Sequence, residues 1–204
     1  MKRILVVLAV TGILGAIASA APITYTLSTT ATGTLDTLPF TDALVSVTLT
    51  GDTSNVTAGP PPFTDVLVNP GSAIVSVSGI GTGTFTDPIE IIDTLSDTAA
   101  LGGPAVLILD NTSGTGILLQ TGSVFLSYDL QVPLGPITGT GGVASGSHMT
   151  PIFPTTAGDL TWAVGQSLGT STFTASTVPE PTSLTLFSAG LLGLTGLCLR
   201  RKRL

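Results

Sequence analysis

Between Ala21 and Val178 the chain contains no lysine and no arginine. An ordinary stretch of that length carries about 20 basic residues. All six basic residues stand at the ends: Lys2 and Arg3, then Arg200, Arg201, Lys202 and Arg203. The same span holds eleven of the twelve acids: Asp36, Asp42, Asp52, Asp65, Asp87, Glu90, Asp93, Asp97, Asp110, Asp129 and Asp159. With both ends removed, the formal charge moves from −6 to −11, eleven acids against no base. No carboxylate of the body can therefore form an internal salt bridge. Each must be solvated, hydrogen-bonded or paired with a bound cation. Nucleic-acid binding is excluded, because it requires cations that displace phosphate counterions.

A body so poor in charge has to be built from other side chains. Charged residues make up 9% of the chain, with 25 glycines and 14 prolines. Threonine, valine and isoleucine abound, and their branched side chains pack well on a pleated surface. Apolar residues alternate or run at strand length over 23–28, 43–49, 73–77, 105–109, 124–132, 161–164 and 172–176. Turn residues punctuate them, including Gly51-Asp52, Gly59-Pro60, Asn69-Pro70-Gly71, Gly102-Gly103-Pro104 and Gly141-Gly142. The expected fold is all-β, an antiparallel β-sandwich, with a β-solenoid as the alternative. Asp87-Pro88-Ile89-Glu90 fits a helix start, but Ile89, Ile91 and Ile92 favour a strand there.

The N-terminus reads as a secretory signal peptide over 1–20. Lys2 and Arg3 precede an apolar run, and Ala18-Ser19-Ala20 supplies an A-x-A cleavage site. The run is too short to span a bilayer. Cleavage after Ala20 leaves a body of 21–177.

The remaining 178–204 falls into three parts. Pro179-Glu180-Pro181 comes first, then an apolar stretch 182–199, then the basic cluster 200–203. A helix of those eighteen residues is about 27 Å long at ~1.5 Å per residue, enough for a short transmembrane helix. The cations hold its end in the cytoplasm, leaving the body outside. This tail resembles the PEP-CTERM family of sorting signals. Pro179, Glu180 and Pro181 match the family's tripeptide, and Arg200, Arg201, Lys202 and Arg203 match its terminal cluster. The resemblance implies a signal peptidase and an exosortase as partners during export. It also implies an inner-membrane intermediate, then release to the cell surface or an exopolysaccharide matrix. Parts of the body, around Phe40-Thr41-Asp42-Ala43 and Tyr128-Asp129-Leu130, resemble a PEP-CTERM exoprotein type to which no activity is assigned.

Little in the body points to catalysis. Gly165-Gln166-Ser167-Leu168-Gly169 matches the G-x-S-x-G elbow, but the following residues are strand-like where the elbow needs a helix. A hairpin turn is expected instead. His148 is the one histidine and lies in a Gly-Ser-His-Met loop. The one cysteine, Cys198, is in the tail, so the body has no disulfide. Calcium is the one cofactor considered, with Asp52, Asn55 and Asp110 as candidate ligands. None fits a complete calcium-loop pattern. The expected function is a non-enzymatic surface or matrix protein associated with exopolysaccharide or biofilm. The alternatives are a carbohydrate- or calcium-binding module and, last, a secreted hydrolase.

Overall fold

The computed structural model describes residues 21–59, 65–95, 103–144 and 151–178. The signal peptide, the sorting tail with its expected transmembrane helix, Asp97 and His148 lie outside the described residues. Among the described residues no helix is long and apolar enough to cross a membrane.

Twelve strands follow one another: β1 (Pro22–Leu35), β2 (Leu38–Asp52), β3 (Thr57–Ala58), β4 (Val66–Val77), β5 (Gly81–Thr84), β6 (Ile89–Thr94), β7 (Ala105–Asp110), β8 (Thr115–Thr121), β9 (Leu134–Val143), β10 (Ile152–Thr155), β11 (Gly158–Trp162) and β12 (Gly169–Thr177). All pairings are antiparallel. Eight strands close on themselves in the order β1–β12–β9–β8–β7–β6–β4–β2 and back to β1. The sandwich expected from the sequence is therefore a closed eight-stranded barrel, and the solenoid alternative falls with it. Alternation reports that each strand has one dry face and one wet face. It does not report whether the first strand meets the last. Here β1 pairs with β2 along one edge and with β12 along the other, so the main sheet has no free edge.

β1 and β2 outrun the barrel. Beyond Ala31 the register shifts by a bulge, and Gly33, Thr34 and Leu35 pair with β11 on one side and β2 on the other. The β10–β11 hairpin then reaches β5 through the bridge Phe85↔Thr155. Two bonds flank it, from Thr86 N to the Pro154 carbonyl at 3.0 Å and from Thr156 N to the Thr84 carbonyl at 2.8 Å. The result is a second, smaller ring above the main barrel, filled by Phe40, Phe85, Phe153, Leu160 and Trp162. Trp162 meets Phe40 edge-on at 6.3 Å and Phe153 at 6.4 Å.

The main barrel is packed with side chains. Ile23, Tyr25 and Leu27 of β1 point inward, as do Val45, Val47 and Leu49 of β2 and Phe173 and Ala175 of β12. Burying one such large apolar side chain contributes roughly 1.5–3 kcal/mol. The outward positions between them are mostly Thr and Ser. A transmembrane barrel has the reverse arrangement, apolar outside and polar within.

Three expectations fail locally, each for a tertiary reason. Residues 124–132 are not a strand. The chain forms a 3₁₀ turn over Ser123–Ser127 and then an extended stretch, and together these plug the lower mouth of the barrel. Phe125, Tyr128 and Leu130 of this plug are buried, with Phe125 and Tyr128 edge-on to Phe173 at 5.6 and 5.8 Å. Asn69-Pro70-Gly71 is not a turn but the middle of β4, where that strand passes from pairing β6 to pairing β2. Gly141-Gly142 likewise lies inside β9. The stretch after Asp87-Pro88 does become a strand, β6.

Gly71 shows why glycine is needed at the β4 crossing. A Cβ there would stand 2.4 Å from the Thr50 carbonyl oxygen and 2.7 Å from Leu49 Cδ2. Gly169 has nothing within 4 Å of its own Cβ position. Gly71→Ala is therefore expected to destabilise by about 1–3 kcal/mol through overpacking, and Gly169→Ala to stay within about 0.5 kcal/mol of the parent. Urea unfolding followed by circular dichroism measures both. Equal midpoints for the two variants would refute the close approach at Gly71.

Candidate functional site

Just inside the barrel from the plug, the apolar interior gives way to a buried polar cluster. Strand parity puts it there. On β4, Asn69 faces inward; on β6, Ile89, Ile91 and Asp93 do, with Ile91 opposite Asn69 and Asp93 opposite Leu67. The Asn69 amide rests against Gly51, whose missing side chain leaves room for it. Asn69 Nδ2 donates to Tyr25 Oη at 2.7 Å, and Tyr25 Oη donates to the Leu130 carbonyl at 2.5 Å. One phenol hydroxyl thus ties β4, β1 and the plug together. Leu130 itself holds a positive φ of 58°, a conformation that costs a non-glycine residue roughly 1 kcal/mol. Its buried side chain and accepted hydrogen bond hold it there.

Asp93 is the unusual member. It is fully buried, and neither carboxyl oxygen has a hydrogen-bond partner. Burial pushes its pKa up to about 8, and the nearby Asp129 charge adds to the shift. At neutral pH it is a neutral acid, the form a carboxyl takes where no cation is within reach. Asn69 Oδ1 and Gln120 Oε1 are also buried and unpartnered, while Gln120 Nε2 donates to the Ile137 carbonyl at 3.0 Å. Burial raises Tyr25 to about 12 and Tyr128 further. Both phenols stay protonated and act as hydrogen-bonding struts.

The residues singled out from the sequence lie elsewhere and apart. Asp52 ends β2 at the lower end of the barrel, and its Oδ1 accepts from Ser54 N at 2.8 Å and Ser54 Oγ at 2.7 Å. Those bonds favour the charged form and hold its pKa below the ordinary carboxylate value. Asn55 is exposed in the 3₁₀ turn that follows. Asp110 ends β7 at the opposite end and caps its own turn, accepting from Thr112 N at 2.9 Å and Ser113 Oγ at 2.6 Å. The barrel does not bring these oxygens together. Among the described residues no group of three or more His, Cys, Asp or Glu side chains converges.

Ser167 is exposed on the connection from β11 to β12, with a strand after it and no helix. That connection is not a hairpin, because β11 and β12 do not pair. Both lie along the same edge of β1, one above the other. Gln166 fixes it in place, accepting from Thr32 N at 2.7 Å and donating to the Thr32 carbonyl at 2.9 Å. Trp162, Tyr25 and Tyr128, the body's Trp and Tyr residues, are all buried.

The polar cluster was missed in the sequence for a clear reason. Asn69 with Pro70 and Gly71 has the residue types of a turn, and Asp93 stands in the sequence as one of the body's eleven acids with nothing in its charge to set it apart. The signal for Asp93 was present: it shares parity with Ile89 and Ile91, so a strand that buries them buries it.

The cluster sets a pH dependence. Asp93 has a folded value of about 8 and an ordinary unfolded value of about 3.9. Folding therefore favours the protonated form. Its contribution is complete below pH about 4 and is lost as pH rises to about 8, with a slope approaching 1.4 kcal/mol per pH unit. Asp93→Asn is expected to flatten this decline and to raise stability at pH 8. Denaturant midpoints from pH 4 to 9 for both proteins check this, and parallel curves would refute it.

A family model, the PEP-CTERM protein-sorting motif, matches residues 177–202. Comparison with curated proteins and with solved structures gives no match. The matched segment begins at Thr177, the last residue of β12, and contains the Pro179-Glu180-Pro181 tripeptide and the Arg200, Arg201 and Lys202 cations. The chain is a PEP-CTERM motif-bearing protein, exosortase-targeted and exported, whose last described strand ends where that motif begins.

Proposed function

We propose that this chain is a non-enzymatic component of the cell surface or extracellular matrix, released by exosortase and resident in exopolysaccharide. The sorting motif at 177–202 carries the reading. The body supports it in three ways. Its side chains fill the barrel from within, which suits a structural module. The outer positions on β1 and the strands flanking it are mostly hydroxyls, which suits hydrated surroundings. Among the described candidates, Asp52 and Asp110 are engaged in local turns, and Asn55 and Ser167 are exposed.

Export then runs in a fixed order. Signal peptidase cleaves after Ala20, the apolar segment 182–199 holds the chain in the inner membrane, and exosortase cuts near Pro179-Glu180-Pro181. The mature protein is expected to begin at Ala21 and to lack Cys198 and the 200–203 cluster. Intact-mass measurement of protein from a host that has an exosortase tests this. Glu180→Ala is expected to leave the chain in the inner-membrane fraction with Cys198 still open to maleimide labelling. A surface-released species that retains Cys198 would sink the proposal, as would unchanged release of the Glu180→Ala variant.

A further inference from the structure

The outer face of the strands around β1 is a regular array of hydroxyls. Four neighbouring strands run in the order β4–β2–β1–β12, and their registers align outward residues into rows. One row reads Ser72, Thr50, Thr24, Ser176; the next Ile74, Thr48, Thr26, Thr174; the third Ser76, Ser46, Ser28, Thr172. Eleven of these twelve positions are Ser or Thr, and none is charged. That neutrality is notable on a body with eleven acids. Across β1 and β2 the hydroxyls already touch: Thr24 and Thr50 at 3.4 Å, Thr26 and Thr48 at 3.2 Å, Ser28 and Ser46 at 2.7 Å.

We propose that this face binds a neutral glycan chain lying across the strands. The ligand's class and availability rest on the matrix reading above; the geometry is that of the face itself. Each hydroxyl both donates and accepts, which matches a ligand whose own groups do both at every unit. Neighbouring strands stand about 4.8 Å apart, comparable with the repeat of one pyranose in an extended chain. A glycan crossing the strands therefore meets an equivalent hydroxyl at each sugar. Threonine χ1 is restricted by branching, and the paired hydroxyls are already placed, so little ordering is lost on binding. Curvature of the barrel favours a bendable polymer over a flat crystal surface. Since the Trp and Tyr side chains are buried, recognition here works through hydroxyls and threonine methyls and not through ring stacking. An anionic polymer is disfavoured by the charge of the body.

The test uses two polymers with one backbone. The full-length chain in mild detergent is run in affinity electrophoresis against hydroxyethyl cellulose, which is neutral, and carboxymethyl cellulose, which is anionic. Retardation by the neutral polymer, and weaker retardation by the anionic one, is expected. Replacing Thr26, Thr48 and Thr174 together by Val keeps side-chain shape and strand preference. It is expected to weaken binding about tenfold or more. The same three positions changed to Ser retain their hydroxyls and are expected to bind within about threefold of the parent, which also guards against a valine variant that misfolds. Absence of binding to the neutral polymer overturns the proposal. So does equal binding to both polymers, or equal binding by parent and valine variant. If the chain reaches the surface yet binds neither polymer, the matrix reading stands and the glycan face alone falls.

Discussion

Everything in this body hangs on β1 having two committed edges. Its first half pairs with β12 on one side and β2 on the other, and its second half trades β12 for β11. One strand therefore closes the main barrel and founds the smaller ring above it. The bulge between Ala31 and Gly33 makes the exchange of partners geometrically feasible. Gly33 is the tightest point, since a Cβ there would lie 2.1 Å from the Thr161 carbonyl oxygen. Full closure also removes the exposed strand edges that would otherwise template aggregation, a matter of weight for an exported protein.

The lack of internal cations shapes the interior as much as the surface. Where another protein would pair a buried aspartate with arginine, this one holds Asp93 as a neutral acid among amides and phenols. Other polar contacts inside the barrel are bonds between uncharged groups, among them Asn69 to Tyr25, Tyr25 to the Leu130 carbonyl and Gln120 to the Ile137 carbonyl. Such bonds are insensitive to salt, so ionic strength acts on the outer acids alone.

Local pattern revealed most of the strands and little of their arrangement. Alternation in β1, β2 and β12 reads directly as one buried and one exposed face. Closure was not legible, because it depends on pairing between residues such as Leu27 and Phe173, far apart in sequence. Asn69-Pro70-Gly71 and Gly141-Gly142 misled for the same reason: their residue types suit turns, yet here they answer to a neighbouring strand's close approach. Apolar alternation in 124–132 was real but served a plug packed on Phe173, which the period alone does not distinguish from a strand. The sorting tail was the most legible part, since its meaning lies in residue order and not in tertiary contact.

The two ends of the barrel domain leave it side by side. Val178 N donates to the Pro22 carbonyl at 2.9 Å, so the first and last strands finish together. A ring that needs its last strand to pair with its first cannot form while the chain is still emerging from the membrane. β1 waits, with one edge unmet, until β12 has crossed. The final residues to cross are those next to the sorting motif. Folding is therefore a long-range, late event of the slow, high-contact-order kind. It is completed only when the residues next to the sorting motif reach β1. Until that strand arrives β1 keeps one open edge, so pairing with a second copy competes with closure for as long as the last strand is delayed.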